Sequence, residues 1–146
     1  MKHKGGENIS IIKNFYRALA NGDQSYAHSL LDPNIEWVEP VVEGLYFGGE
    51  HRGRQVVFDE VIEPTHDKIR EFEWKPKKFF AVGDMVIVLA RETGRGRITD
   101  LKLDAPTAHI WRLANGKAVR FEAFHDVLEW QVVLGLTSVQ SERLAA

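Results

Sequence analysis

The sequence predicts an α+β fold in which amino-terminal helices pack on a curved antiparallel sheet that encloses a pocket. Apolar residues recur at helical spacing early in the chain, whereas from about Arg70 onward they alternate with polar residues as in strands. Strands and helices do not alternate in the way that builds a parallel sheet, so helices and sheet should segregate. At 146 residues one core suffices, and we expect a single domain over 1–146 with flexible tails at 1–7 and 137–146.

Composition narrows the possible functions. Hydrophobic residues make up 44% and charged residues 27% of a chain with a formal net charge of −2, and its basic residues are interleaved with acidic ones. A nucleic-acid partner is therefore not expected. Because the chain has no cysteine, disulfides and thiolate chemistry are excluded. No apolar run has the length of a membrane span or the form of a signal peptide, so we expect no membrane contact and a cytoplasmic location.

Two helices and a strand are predicted at the amino-terminal end. Apolar residues at helical spacing over 9–19 predict the first helix, which the residues of 21–23 end. The second helix should cover 26–31, because the proline in 32–34 disfavours helical geometry in the residue before it. A strand from Ile35 to Pro40 follows.

The segment from Val41 to Gly53 is predicted to be a loop, because it contains four glycines. It also carries Tyr46 and Phe47, so we expect it to border the pocket mouth and to move as a lid. A third helix is expected over 57–62 and should end at Pro64.

The remaining chain predicts an antiparallel meander with turns at 83–84 and 94–96. Its strongest hairpin signal is Asn115-Gly116, since both residues tolerate positive φ. Regular pairing outward from this turn places Trp111 opposite Arg120 and His109 opposite Glu122.

This register groups aromatic and ionisable residues on one face of the sheet. The face would carry His109, Trp111, Glu122, Phe124 and Asp126, with Trp37 and Glu39 from the first strand. Charged residues are rarely buried without partners, so such a face lines a cavity or meets solvent. The large aromatic side chains favour the cavity, and the solvated face is the alternative.

Neither a cofactor nor a metal is predicted. The glycines of 44–53 do not match a phosphate-binding spacing, and the six histidines are scattered without a metal-ligand pattern. We therefore expect a pocket that binds a small apolar molecule through protein side chains alone.

Several segments resemble the SnoaL-like branch of the NTF2-like superfamily. They are Ile35-Glu-Trp-Val-Glu-Pro40, Tyr46-Phe-Gly-Gly-Glu-His-Arg-Gly53, Ala108-His-Ile-Trp111 and Gly116-Lys-Ala-Val-Arg-Phe-Glu-Ala-Phe-His-Asp126. The resemblance runs from the first helix to about Gly135. That group includes polyketide cyclases, ketosteroid isomerases and limonene-epoxide hydrolases. The resemblance implies a cone-shaped fold with a deep apolar pocket and a homodimer formed through the outer sheet.

The resemblance also implies catalytic roles. In ketosteroid isomerases the general base is a carboxylate just before a proline on the first strand, and Glu39 is similar to it. The position of the acid that binds the oxyanion in these enzymes falls at His109. The position of their tyrosine donor falls on Phe15. Asp126 is similar in place to the acid/base of the cyclases. The trio of the epoxide hydrolases is similar in charge to Arg120, Glu122 and Asp126.

The predicted function is therefore acid/base catalysis of the cyclase or isomerase type on an apolar carbonyl compound, without a cofactor. The predicted catalytic residues are Glu39, His109 and Asp126. The predicted substrate contacts are Phe15, Trp37, Tyr46, His51, Trp111, Glu122 and Phe124. The alternatives are a non-catalytic binder of an apolar ligand, an epoxide hydrolase, and a dimerisation module whose side chains fill the pocket.

Overall fold

The computed structural model describes residues 4–136, which form helices packed on one curved sheet. The helices are α1 (Lys4–Ala20), α2 (Gln24–Ser29), α3 (Arg54–Val57), α4 (Glu63–Lys68) and α5 (Val127–Leu134). Residues 4–7 are helical, so the predicted amino-terminal tail is wrong for them. The tail predicted at 137–146 lies outside the described residues.

The sheet has six strands. They are β1 (Leu31–Glu39), β2 (Gly49–Arg52), β3 (Ile69–Val82), β4 (Met85–Gly96), β5 (Lys102–Ala114) and β6 (Lys117–His125). Their order across the sheet is β2-β1-β6-β5-β4-β3, and every pair is antiparallel except β1 with β6. The predicted α+β class with a largely antiparallel sheet is thus confirmed, although β2 and α5 were not predicted.

The helical segment over 54–68 passes through Pro64, where the sequence predicted its end. Between α3 and α4 the backbone forms a π-helical turn at Phe58–Ile62, and Pro64 is in the first turn of α4. A proline ring clashes with the carbonyl group four residues earlier in a regular α-helix. The wider π turn relieves this clash, so the chain stays helical to Lys68.

The β5–β6 hairpin contains a bulge that changes its register. Ala114 pairs with Lys117 as predicted, but the pairing shifts between Leu113 and Arg112. Beyond this point Trp111 lies opposite Phe121 and not opposite Arg120. One extra residue reverses which side chains of β6 face inward, so the predicted faces of this strand are wrong.

The core lies between the concave face of the sheet and the helices. Its largest fully buried side chains are aromatic and include Trp37, Trp111, Trp130, Phe15 and Phe121. Within the described residues, no helix combines the length and the hydropathy that crossing a membrane requires.

Candidate functional site

Two small cavities lie beneath the helices, on the concave side of the sheet. The larger, about 40 Å³, is bounded by α1, by the segment from Val61 to His66 and by β3. The smaller, about 10 Å³, lies deeper, beside Glu39. The two share Phe72 and Trp74 as walls, and together they hold a few water molecules at most. Side chains of the protein itself fill most of the predicted pocket.

Three ionisable side chains meet at the deeper cavity and are called the Glu–His–Glu trio here. His125 Nε2 lies 2.6 Å from Glu39 Oε1, and His125 Nδ1 lies 2.8 Å from Glu92 Oε1. Glu39 is 3% exposed and Glu92 is 0% exposed. The last residues of β1 and β6 and an interior residue of β4 thus meet, although they lie up to 86 positions apart in the sequence.

Three tryptophan N–H groups complete the hydrogen bonding of the trio. Trp37 Nε1 donates to Glu39 Oε2 at 2.7 Å. Trp74 and Trp130 donate to the two oxygens of Glu92, each at 2.9 Å. Every carboxylate oxygen of the trio therefore accepts at least one hydrogen bond, as buried carboxylates require.

His125 is held as an imidazolium. Burial alone lowers the pKa of His125, but the charges of Glu92 and Glu39 and their hydrogen bonds outweigh it and raise the pKa to about 10. Both ring nitrogens then donate, one to each carboxylate. With both carboxylates ionised, the trio carries one net negative charge inside an apolar interior.

A second polar group, the tyrosine–histidine pair, lies between α1 and β5. The Tyr16 hydroxyl lies 2.6 Å from His109 Nδ1 and accepts a hydrogen bond from Trp111 Nε1 at 2.9 Å. Since Trp111 can only donate, the Tyr16 hydrogen points to His109 Nδ1. The neutral His109 ring therefore carries its proton on Nε2, which is buried and without a partner.

Burial sets the charge of this pair. It raises the pKa of Tyr16 well above its ordinary value, and it lowers the pKa of His109 well below 6.5, with the positive charge of His125 acting in the same direction. Both side chains are therefore neutral near pH 7, so Tyr16 and His109 are donors without formal charge.

Trp74 separates the two polar groups. Its ring centroid lies 4.7 Å from that of His109 and 5.9 Å from that of Tyr16, while its N–H donates to Glu92. It also lines both cavities. The indole thus occupies the space between the donor His109 and the carboxylates.

The three predicted catalytic residues do not share one cavity. Glu39 lines the deeper cavity, and His109 is 0% exposed behind Trp74. Asp126 is exposed and caps α5, where its carboxylate accepts a hydrogen bond from the backbone N–H of Glu129 at 3.2 Å. The prediction that Asp126 points into the cavity is wrong, because the strand ends at His125 and a helix begins.

Among the predicted substrate contacts, the β6 bulge places Glu122 and Phe124 on the outer face. Phe124 is 51% exposed, and Glu122 pairs with Arg120 there. The charges predicted to resemble an epoxide hydrolase site therefore lie outside the cavities.

The other predicted contacts line neither interior cavity. Phe15, Trp37 and Trp111 are fully buried in the core. Tyr46 binds the Thr65 hydroxyl, and His51 binds the carbonyl oxygen of Phe47 and the Glu60 carboxylate. The larger cavity is lined by α1, the segment from Val61 to His66 and β3, and by no residue of the predicted lid. From the predicted lid, only Phe47 reaches the deeper cavity.

Tyr16, Glu92 and His125 were not predicted from the sequence as site residues. The alternation of strand residues could have indicated Glu92 and His125. In β4 the inward-facing residues are Val86, Val88 and Ala90, and the same alternation continues to Glu92. For His125 the alternation was present, but the bulge hid its direction. Tyr16 adjoins Phe15 on α1, and only the packing of the helix shows which of them reaches β5.

The described residues contain no group of three or more His, Asp or Glu side chains arranged to hold a metal ion. In the trio, both nitrogens of His125 already face carboxylates. What the site offers is a buried carboxylate beside a cavity and a neutral donor on the far side of one indole. Proton transfer on a small apolar molecule needs groups of these types.

A cone of helices packed on a curved, largely antiparallel sheet is the fold of the NTF2-like class of proteins. The model of the SnoaL-like domain family matches residues 12–121, so the chain belongs to that family. No curated protein matches the sequence significantly.

Solved structures support the same class. An NTF2-like protein of unknown function from Burkholderia pseudomallei K96243 is 25% identical, with 88% of this chain and 97% of that chain covered and a TM-score of 0.81. An NTF2-like protein from Burkholderia thailandensis E264 is 26% identical, with coverages of 92% and 98% and a TM-score of 0.80. A putative SnoaL-like polyketide cyclase from Jannaschia sp. CCS1 is 16% identical, with coverages of 94% and 97% and a TM-score of 0.76, and shares the fold.

Proposed function

We propose that the protein is a cofactor-independent enzyme of the cyclase or isomerase type, which moves a proton on a carbon next to a carbonyl group of a small apolar compound. The observation that carries the proposal is the buried carboxylate of Glu39 beside a cavity with aromatic walls. Buried ionisable groups in apolar clefts are typical of catalytic sites.

Glu39 is the proposed base. His125 and Trp37 fix its carboxylate in one orientation, and each of its oxygens retains a lone pair that can accept a proton. When Glu39 takes the proton from the substrate carbon, the substrate becomes an enolate, so one negative charge moves from the trio to the substrate oxygen. Glu39 can then return the proton to another carbon of the substrate, as an isomerase requires.

His109 is the proposed donor to the substrate oxygen. Its Nε2–H is neutral, buried and unpaired, and Tyr16 fixes its tautomer through Nδ1. Such a donor stabilises the oxyanion of an enolate without bringing a second full charge into the site. The roles of base and donor thus fall to Glu39 and His109, while Asp126 has a capping role.

Non-catalytic binding of an apolar ligand is the second candidate function. One observation favours it: both oxygens of Glu39 already accept hydrogen bonds from groups of the protein. The pure dimerisation module would fill the pocket with its own side chains, whereas two small cavities remain beside Trp74.

Hydrogen–deuterium exchange of 2-tetralone, a bicyclic ketone with acidic α-protons, tests the proposal. The wild-type protein should accelerate exchange in D₂O, and Glu39→Gln should lower the rate constant by roughly 10²- to 10⁴-fold. Glu36→Gln is the matched control, because Glu36 lies on the same strand but pairs with Arg52 at the surface. Equal exchange by wild type and Glu39→Gln would refute the catalytic role, and saturable binding without exchange would support the second candidate.

A further inference from the structure

We propose that the indole of Trp74 occupies the substrate site of the unliganded protein, and that a flat conjugated carbonyl compound of at least two fused rings takes its place. This inference rests on the proposed function, because it names the substrate class of the same site. It assigns to Trp74 a role in specificity that goes beyond wall packing.

Trp74 lies at the centre of the polar groups of the interior. The indole lies between His109 and the Glu–His–Glu trio, since its ring packs against His109 and its N–H binds Glu92 of the trio. It also lines the larger cavity, the deeper cavity and an open groove on the outside of the cone. Removal of this one side chain would join these spaces into a site that extends from the surface to the trio.

The side chain of His109 has a donor that is unpaired in the unliganded protein. His109 Nε2 is fully buried and has no hydrogen-bond partner, while the Trp74 ring stands at 67° to the imidazole with its centroid 4.7 Å away. Buried N–H groups without partners are rare in folded proteins. A carbonyl oxygen in the space of the indole would provide the missing acceptor.

The setting of Trp74 permits such a displacement. Trp37, Trp111 and Trp130 are at most 1% exposed, whereas Trp74 is only partly buried and lies on the edge strand β3. The pairing of β3 with β4 shifts on both sides of Trp74, between Arg70 and Glu73 and between Pro76 and Lys78. Edge strands with such irregularities have fewer constraints on their backbone.

A groove on the surface next to Trp74 could accommodate the displaced indole. The outer groove between α1 and β3 has a volume of about 300 Å³ and is lined by Lys13, Arg17, Lys75 and Phe79, besides Trp74 itself. Leaving the interior would break one hydrogen bond, that to Glu92 Oε2. Glu92 would keep His125 and Trp130 as donors to Oε1.

The groups that the indole now covers define the ligand. A planar apolar ring system would pack against the aromatic walls, with its carbonyl oxygen on His109 Nε2 and an acidic C–H toward Glu39. A hydroxyl group at the opposite edge would donate to Glu92 Oε2 in place of the indole N–H. The substrate class is therefore a fused-ring carbonyl compound with a hydroxyl group far from the carbonyl.

Fluorine NMR of protein labelled with 5-fluorotryptophan tests the displacement, with 2-naphthol as the probe of the enol form. The chain has four tryptophans, and the resonance that is missing from the spectrum of Trp74→Phe is that of Trp74. On addition of 2-naphthol, we expect that resonance to shift most and to gain the solvent isotope effect of an exposed ring, while the Trp37 resonance stays protected. Binding of 2-naphthol with an unmoved Trp74 resonance, or no binding at all, would overturn the inference.

Affinities of the single and double variants for two probes distinguish a substrate site from a cavity created by the substitution. Trp74→Ala should bind 2-naphthol at least tenfold more tightly than wild type, because no indole must be displaced. Its preference for 2-naphthol over naphthalene should fall about tenfold when His109→Phe is added, since the donor is lost. An equal gain for both probes, with or without His109, would mean only that a cavity was created. If the double variant does not fold, the fluorine experiment decides.

The two proposals fail in different ways. Displacement of Trp74 by 2-naphthol without exchange of 2-tetralone would leave the binding site intact and remove the enzymatic function. Exchange that depends on Glu39 while Trp74 stays in place would keep the enzyme and remove this inference.

Discussion

His125 and His109 lie in the same interior but have opposite charge states, because their partners differ. His125 faces a carboxylate on each ring nitrogen, whereas His109 faces one hydroxyl and aromatic rings. The charge of His125 in turn contributes to keeping His109 neutral. The result is a fixed positive charge beside the proposed base and a neutral donor at a distance from it.

Nitrogen-15 NMR of labelled histidines should show these two states directly. At pH 8 we expect His125 to give two imidazolium-type nitrogen shifts, since its pKa is raised to about 10. His109 should give one protonated nitrogen, Nε2, and one unprotonated nitrogen, Nδ1, down to pH 5. Free histidine under the same conditions would provide the reference titration, and a neutral His125 at pH 8 would contradict the arrangement of the trio.

The same shifts predict how stability depends on pH. The folded pKa of His125 is above the unfolded value near 6.5, so its contribution is complete below pH 6.5 and is lost as the pH rises toward 10, at about 1.4 kcal/mol per pH unit. The folded pKa of His109 is depressed, so stability is lost as the pH falls below 6.5. Urea unfolding should therefore give a maximum of the free energy of unfolding near pH 6.5, and a value that rose from pH 7 to pH 9 would contradict this.

Trp37 holds the proposed base through one hydrogen bond, so its removal should affect stability and catalysis. Trp37→Phe should lower the free energy of unfolding by about 2–4 kcal/mol, because a buried carboxylate oxygen loses its donor and a void opens beside Phe121. Chemical denaturation measures this loss. Trp130→Phe is a comparison in which the affected oxygen keeps His125 as a donor, so a larger loss there would contradict the argument.

At the level of single residues, the sequence allowed the prediction of Glu39 and His109 as polar residues of the interior. It did not allow the prediction that His125 joins them, because one bulged residue in β6 decides whether odd or even positions face inward. Glu92 lies 53 positions beyond Glu39 in the sequence, and the two carboxylates come close only because the strands of the sheet place both beside His125. Such contacts depend on register, which no local pattern specifies.

At the level of elements, the turns at 83–84 and 115–116 and the alternating segments were predictable, whereas the interruptions were not. The turn predicted at 94–96 is wrong, because β4 continues to Gly96 and the chain turns at 97–99. Asn115-Gly116 forms the hairpin, with both residues at positive φ. The π turn before Pro64 and the bulge in β6 each add one residue to a regular pattern, and periodicity alone does not show where this happens. The site depends on both, since the π turn lies in its wall and the bulge turns His125 inward.

Helix α5 provides a test of the role of Asp126. Its carboxylate caps the helix, so Asp126→Ala should lower the free energy of unfolding by about 1 kcal/mol, while Asp126→Asn, which also caps helices, should be nearly neutral. Both variants should exchange 2-tetralone at the wild-type rate. A loss of exchange in Asp126→Asn without a loss of stability would restore Asp126 as a catalytic residue.

For the whole molecule, the inner face of the sheet is covered by helices and the outer face carries an apolar band. The band crosses four strands and consists of Phe80, Ile87, Leu89, Ala108, Ile110 and Phe124, which pair side by side across β3, β4, β5 and β6. Leu89 is 40% exposed and Phe124 is 51% exposed. Large contiguous apolar patches on a protein surface mark interaction sites.

The predicted homodimer would bury this band against a second copy of the chain. A sheet face can cover its own equivalent around a twofold axis, and the ion pair of Arg91 with Asp104 lies at its border as a polar rim. Sedimentation at micromolar concentration should give a dimer for wild type and a monomer for the double variant Leu89→Lys, Phe124→Lys. Ile98→Lys is the control, because Ile98 is 91% exposed but lies in a turn away from the band, and it should remain dimeric. A monomeric wild-type protein, or dissociation caused equally by the Ile98 variant, would show that the outer face is not the dimer interface.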